Sequence, residues 1–206
     1  MKKRLLLPAF GIFMLGASLV TTAQNRYLDK VFTSVDVQAD LTYGQNFEVL
    51  TGAPVLIDLK MDVYTPNGDN ATDRPLIIYL HTGSFLPPIV NGSPTGSRKD
   101  SATAEMCREF AKRGYVAASV SYRLGWNPQG NQEVRTGTIL NAVYRANQDV
   151  KTAIRYFRKE AATNGNPFGI DTTKIVVVGQ GTGGYAGLAA AYLDKTAELN
   201  LLKFID

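Results

Sequence analysis

The sequence predicts an α/β fold in which helices flank a mainly parallel sheet, and three observations predict it. Short apolar runs, some alternating and some continuous, mark strands at 55–63, 75–80, 115–122 and 174–178. Stretches with apolar residues at helical spacing fall between and after them, at 101–113, 138–159 and 183–192. Strands and helices that take turns along one chain are the pattern of βα units sharing a parallel sheet. A length of 206 residues, 45% hydrophobic and 19% charged, suits one domain with a real core and excludes a disordered chain.

The chain opens with a different signal. Lys2, Lys3 and Arg4 precede an apolar run over 5–20, broken only by Pro8, Gly11, Gly16 and Ser18, and then Thr21-Thr22-Ala23. Basic, apolar and small-residue regions in that order form an export leader, with cleavage expected after Ala23. The run is shorter than the ~20 apolar residues of a membrane span, so no stable span is expected once it is removed. No cysteine at the cleavage point offers a lipid anchor. The expectation is therefore a leader at 1–23 and one domain at 24–206, secreted or periplasmic. Removing three basic residues takes Lys+Arg from 22 to 19 against 18 acids, so +4 becomes +1 and the pI near 9.1 misleads. That charge is no nucleic-acid footprint. One cysteine and one histidine exclude a disulfide scaffold and most metal sites, and no cofactor is expected.

Each element has its own reason. Val55, Ile57, Leu59, Met61 and Val63 alternate with Asp58, Lys60 and Asp62, which reads as a half-buried strand ended by the turn at 64–68. Leu76, Ile77, Ile78, Tyr79 and Leu80 run on without a polar break, as in a strand covered on both faces. Ala104, Cys107, Phe110 and Ala111 share a helical stripe that stops at Gly114, so Cys107 is expected as a buried structural thiol. Ala142, Val143, Ala146, Val150, Ala153, Ile154 and Phe157 form a longer stripe, and 174–178 reads as a short buried strand.

The glycine turn that follows has two readings. Gly179, Gly181 and Gly184 satisfy G-x-G-x-x-G between a strand and a helix, with Asp206 at about the spacing of a ribose-binding acid. This fits a dinucleotide site, although such a unit ordinarily opens a domain, and here it comes late. In the second reading the same residues form a sharp strand–nucleophile–helix elbow of the G-x-S-x-G kind, framed by Gly179 and Gly183.

Four upstream segments favour the elbow. Leu80-His81-Thr82-Gly83-Ser84-Phe85 resembles the H-G-G-G-F oxyanion motif of carboxylesterases and hormone-sensitive-lipase-like esterases. Ser121-Tyr122-Arg123-Leu124 resembles their strand-end Y-R-L. Gln148-Asp149, with Ala153 and Phe157, is similar to their Q-D-x-x-A-A-x-x-W/F helix, and Asp171 to Ile175 to the approach to the elbow strand. The resemblance runs from about 55 to 192 and implies an α/β-hydrolase fold, with C-terminal strands missing from this chain. It then leaves 174–178 near an unpaired apolar edge. It implies serine-dependent hydrolysis of a small ester or lipid-like substrate, and oxyanion donors on the backbone of Gly83, Ser84 and Thr182.

The sequence departs from that pattern where it matters most. Gly181 stands at the nucleophile position and carries no side chain, while Thr182 reads as a helix N-terminal hydroxyl. His81 is the only histidine and lies in the oxyanion motif, upstream of the elbow, where it supports the motif rather than acting as a base. Arg123 and Asp149 are expected as a structural charge pair. The loop at 85–99 is the best candidate for a lid, and Trp126 is either a pocket wall or a surface aromatic. The expectation is an exported esterase-like domain that is inactive as written. The alternatives are a binding or cell-surface module on the same fold, and the dinucleotide unit.

Overall fold

The computed structural model describes residues 25–50 and 52–199. The leader at 1–23 and Asp206 lie outside the described residues. In chain order the elements are β1 (Val35–Glu48), β2 (Val55–Pro66), β3 (Arg74–Leu80), α1 (Pro88–Asn91), α2 (Ser101–Lys112), β4 (Val116–Val120), α3 (Gln132–Thr163), β5 (Ile170–Gly179), α4 (Thr182–Tyr192) and α5 (Thr196–Leu199). They build one mixed sheet in the order β1-β2-β4-β3-β5. The β4-β3-β5 half is parallel, as expected, because helices join β3 to β4 and β4 to β5. The β1-β2-β4 half is antiparallel.

The continuous apolar run does become a central strand. Along β3, Leu76, Ile78 and Leu80 face one core with Val150, Ala153 and Phe157 of α3. Ile77 and Tyr79 face the other, with Cys107 and Ala111 of α2. Cys107 is fully buried, and its thiol is pushed up to about 12 by that burial. It is a packing residue, as expected.

Three differences from the sequence reading have physical causes. β1 has no clean alternation, and its side chains are mostly exposed. It forms because its backbone pairs along nearly the whole of β2. β2 alternates only in its outer half, since Met61, Asp62, Val63 and Tyr64 are all buried where β4 joins it. The strand runs on to Pro66, and the turn is confined to Asn67 and Gly68. The 174–178 segment is not buried. β5 pairs only with β3 among the described residues, so Val176 is 49% exposed.

Helix α3 also begins earlier than its apolar stripe, because the Asn131 side chain accepts a hydrogen bond from Val134 N at 2.9 Å and caps it. One buried ion pair ties this helix to the end of β4. Arg123 Nη2 donates to Asp149 Oδ1 at 2.8 Å, and Arg123 N donates to Oδ2 at 2.8 Å. Both side chains are nearly sealed from water, so removing either alone would cost roughly 3–5 kcal/mol.

Candidate active site

Parallel neighbours β3 and β5 end at the same level, with Leu80 opposite Gly179. Their C-terminal turns therefore lie side by side. In the turn after β5, Gln180 N donates to Leu80 O at 3.2 Å, and α4 begins two residues later. Gly181, between them, has φ 54° and ψ −121°, a conformation essentially reserved for glycine unless the surroundings impose it.

Steric contacts identify which glycines the turn requires. A Cβ on Gly183 would sit 2.6 Å from His81 O, and one on Gly179 would sit 2.5 Å from Gly184 N. Backbone packs on backbone at both places, and neither tolerates a side chain. A Cβ on Gly184 would meet only Gly179 O at 3.5 Å, an ordinary contact. The enforced spacing is thus 179 and 183, that of the elbow, and the third glycine of the dinucleotide fingerprint has no steric role.

The space a side chain at Gly181 would take is filled from the other turn. A Cβ on Gly181 would overlap Thr82 Oγ1 and lie 3.1 Å from Thr82 Cβ. Two departures from the esterase motifs, Gly181 and Thr82, thus occupy complementary halves of one small volume. They are 99 positions apart in the chain, and only the sheet brings them together.

The turn after β3 is held in place with unusual backbone geometry. Gly83 has φ 123°, and a Cβ on it would lie 2.5 Å from Gly96 Cα. Ser84 and Phe85 both have positive φ, 58° and 53°, which costs of order 1–3 kcal/mol each for such residues. Buried Phe85 anchors them. Its ring meets Tyr122 edge-on at 5.8 Å, and its carbonyl accepts from Gly125 N at 2.9 Å and Trp126 N at 3.2 Å. Asn91 clips the far end of the loop by donating from Nδ2 to Thr95 O at 2.6 Å. The backbone N–H groups of Gly83, Ser84 and Thr182 donate no hydrogen bond to any described residue.

His81 is buried and stacked on Tyr122, with ring centroids 4.4 Å apart. Its Nδ1–H donates to Thr82 O at 2.6 Å, which leaves Nε2 as the unprotonated nitrogen, buried and without a partner among the described residues. Burial holds its pKa below the usual imidazole value, so the ring is neutral. Tyr122 Oη donates to His81 O at 2.7 Å and accepts from Thr182 Oγ1 at 3.3 Å, joining the two turns. Burial also raises the Tyr122 phenol pKa. Sequence reasoning recognised Tyr122 only as part of a motif and did not find its bridging role.

Among the described residues, no group of His, Cys, Asp or Glu is arranged to hold a metal, and no helix is long and apolar enough to cross a membrane. The 85–99 loop carries the short α1, whose Ile89 is 92% exposed. Trp126 lines a cleft beside that loop, as one of its two readings had it.

The BD-FAE family model matches residues 61–204, more than half of the chain and spanning both turns. The chain belongs to the BD-FAE family. Its mostly parallel sheet with flanking helices is that of an α/β-hydrolase fold. Esterase B of Lactobacillus rhamnosis, inhibited by a tributyrin phosphonate, is similar to it in fold at TM-score 0.52 and 20% identity, over 88% of this chain and 48% of that one. Est2 of Thermogutta terrifontis with propionate bound aligns at TM-score 0.46 and 25% identity, over 76% and 45%. A hyperthermophilic esterase of Pyrobaculum calidifontis aligns at 0.45 and 24%, over 79% and 39%. This BD-FAE chain spans about half the length of those esterases. No curated protein matches it.

Proposed function

We propose that this BD-FAE chain is an exported esterase-type domain that does not hydrolyse esters through its elbow. The observation that carries the proposal is the pairing of Gly181 with Thr82: the nucleophile position lacks a side chain, and the space for one is occupied. Ester hydrolysis on such a frame needs a nucleophile, a base that takes its proton, and donors for the oxyanion. The donors are the part retained. The free N–H groups of Gly83, Ser84 and Thr182 are the ones we assign to that role, in a turn framed by Gly179 and Gly183. His81, the chain's only histidine, has Nδ1 engaged and Nε2 sealed from solvent, so we assign it to holding the turn.

A second reading follows from the same facts. A frame that keeps its donors without a nucleophile is suited to binding small carbonyl or carboxyl compounds, a non-catalytic module on a hydrolase fold. p-Nitrophenyl acetate hydrolysis by the 24–206 chain, beside a His81→Ala control, tests the main proposal. Progress curves are expected to match buffer, and saturable turnover by the unmodified chain overturns it. Export is tested separately by expressing the chain with its first 23 residues and determining the N-terminus of the exported product. The expected first residue is Gln24, and an intact Met1 on the exported protein overturns that part.

A further inference from the structure

Beyond the turn after β3 lies a cleft of about 570 Å³, bounded by Leu50, Pro87, Val90, Trp126 and Arg145 among others. A volume of this size holds a small organic ligand. Its walls are largely apolar, with one cation set in them. Arg145 is half-buried on α3, and no carboxylate lies within ion-pairing distance of it among the described residues. Asp149 and Glu48 act on it only from farther away, and Arg123, whose own charge Asp149 neutralises, adds a like charge beside it.

The hydrogen bonds of this wall are as incomplete as its charges. Arg145 Nη2 reaches Leu124 O only at 3.5 Å. Arg145 Nε–H and Trp126 Nε1–H are both buried and have no partner among the described residues. Those two N–H groups lie beneath the surface of the wall, whereas Arg145 Nη1, which donates to no described residue, is not sealed and leaves the cation open to an acceptor in the cleft. The unpaired groups of Arg145 and Trp126 are all donors, and Arg145 carries a positive charge. A neutral ester or alcohol answers the donors but not the charge, whereas a carboxylate answers both.

We propose that this cleft binds a small monocarboxylate with an apolar body. The carboxylate sits at Arg145, and the apolar part lies against Trp126, Leu50 and Val90. The inference does not depend on whether the elbow is hydrolytic, since neither Gly181 nor Thr82 lines the cleft.

Trp126 is the only tryptophan in the chain, so its emission reports on the cleft directly. Hexanoate, its neutral isostere hexanamide, and acetate are titrated against the 24–206 chain. Hexanoate is expected to change the emission saturably. Hexanamide, lacking the charge, and acetate, lacking the apolar body, are each expected to bind at least about tenfold more weakly. Arg145→Gln, with its far-UV circular dichroism unchanged, is expected to weaken hexanoate by about tenfold or more and to leave hexanamide as it was. No saturable change with hexanoate, equal affinity for hexanoate and hexanamide, or undiminished hexanoate binding by folded Arg145→Gln each overturns the proposal. If Arg145→Gln does not fold, the ligand series on the unmodified chain decides alone.

Discussion

The turn after β3 and the turn after β5 sit side by side and are built in opposite ways. The first is held from outside: Phe85 is buried, Asn91 clips the loop, and Tyr122 binds the His81 carbonyl. Its backbone can therefore sustain two non-glycine residues at positive φ. The second is held by the absence of side chains, with Gly179 and Gly183 packed backbone to backbone and Gly181 at φ 54°. Backbone donors survive side-chain change, so the first turn keeps its polar groups while its sequence varies. A side chain is a single atom set, and Gly181 at the centre of the second turn has none. The comparison separates what a fold retains through its main chain from what it holds through one residue.

Changing the second turn should have the largest effect. Gly183→Ala places a methyl group against the Leu80 and His81 carbonyls, neither of which can yield without moving β3. A loss of about 3 kcal/mol or more in urea-unfolding stability is expected. A loss below about 1 kcal/mol would mean the two turns are not in backbone contact.

Gly181→Ser should cost less, on the order of 1–3 kcal/mol, from the positive φ and the overlap with Thr82. Adding Thr82→Gly should recover the overlap part, so the two changes together should be non-additive by about 1 kcal/mol. Strict additivity in the same unfolding assay would show that Thr82 does not fill the nucleophile space. Neither variant is expected to hydrolyse p-nitrophenyl acetate saturably, because the only histidine of the chain is occupied elsewhere.

Tyr122→Phe sharpens the comparison at the bridge. It removes the donor to His81 O and the acceptor for Thr182 Oγ1, and about 1 kcal/mol of stability should go with them. An unchanged melting temperature would mean that the turns are positioned by the sheet alone.

The smallest effect expected is with pH. Burial places the folded-state pKa of His81 below its unfolded value near 6.5, so the unfolded chain binds the extra proton first. The stability contributed by the neutral ring is fully present above that unfolded value and is lost as pH falls toward the folded one. Thermal melts of the unmodified chain should therefore fall in midpoint between pH 7.5 and 5 more steeply than those of His81→Asn. Parallel slopes would show that His81 is accessible enough to titrate normally.

Much of the fold is legible in the sequence. The apolar runs located β3 and β4, and the helical stripes located α2 and the inner part of α3, because burial on both faces or one face imposes a period on the residues themselves. The elbow's position was legible from its glycines, since backbone contact admits nothing else. β1 was not legible, because its polar residues pair through main-chain groups that every residue shares. The exposed edge at β5 was legible only through the family resemblance, since it depends on what lies beside the strand rather than on its own valines.

By itself, then, the sequence determined the order of the strands and longer helices from β2 to α4, the place of the two turns and the absence of a side chain at Gly181. All of these reside in local periodicity or in the identity of one residue. Only the tertiary structure decided that Thr82 fills the space opposite Gly181, that Tyr122 joins the turns, and that Arg145 shares a cleft with Trp126 without a described carboxylate in ion-pairing distance. Those relations join residues far apart in the chain, and their physical content is distance, which no local pattern carries.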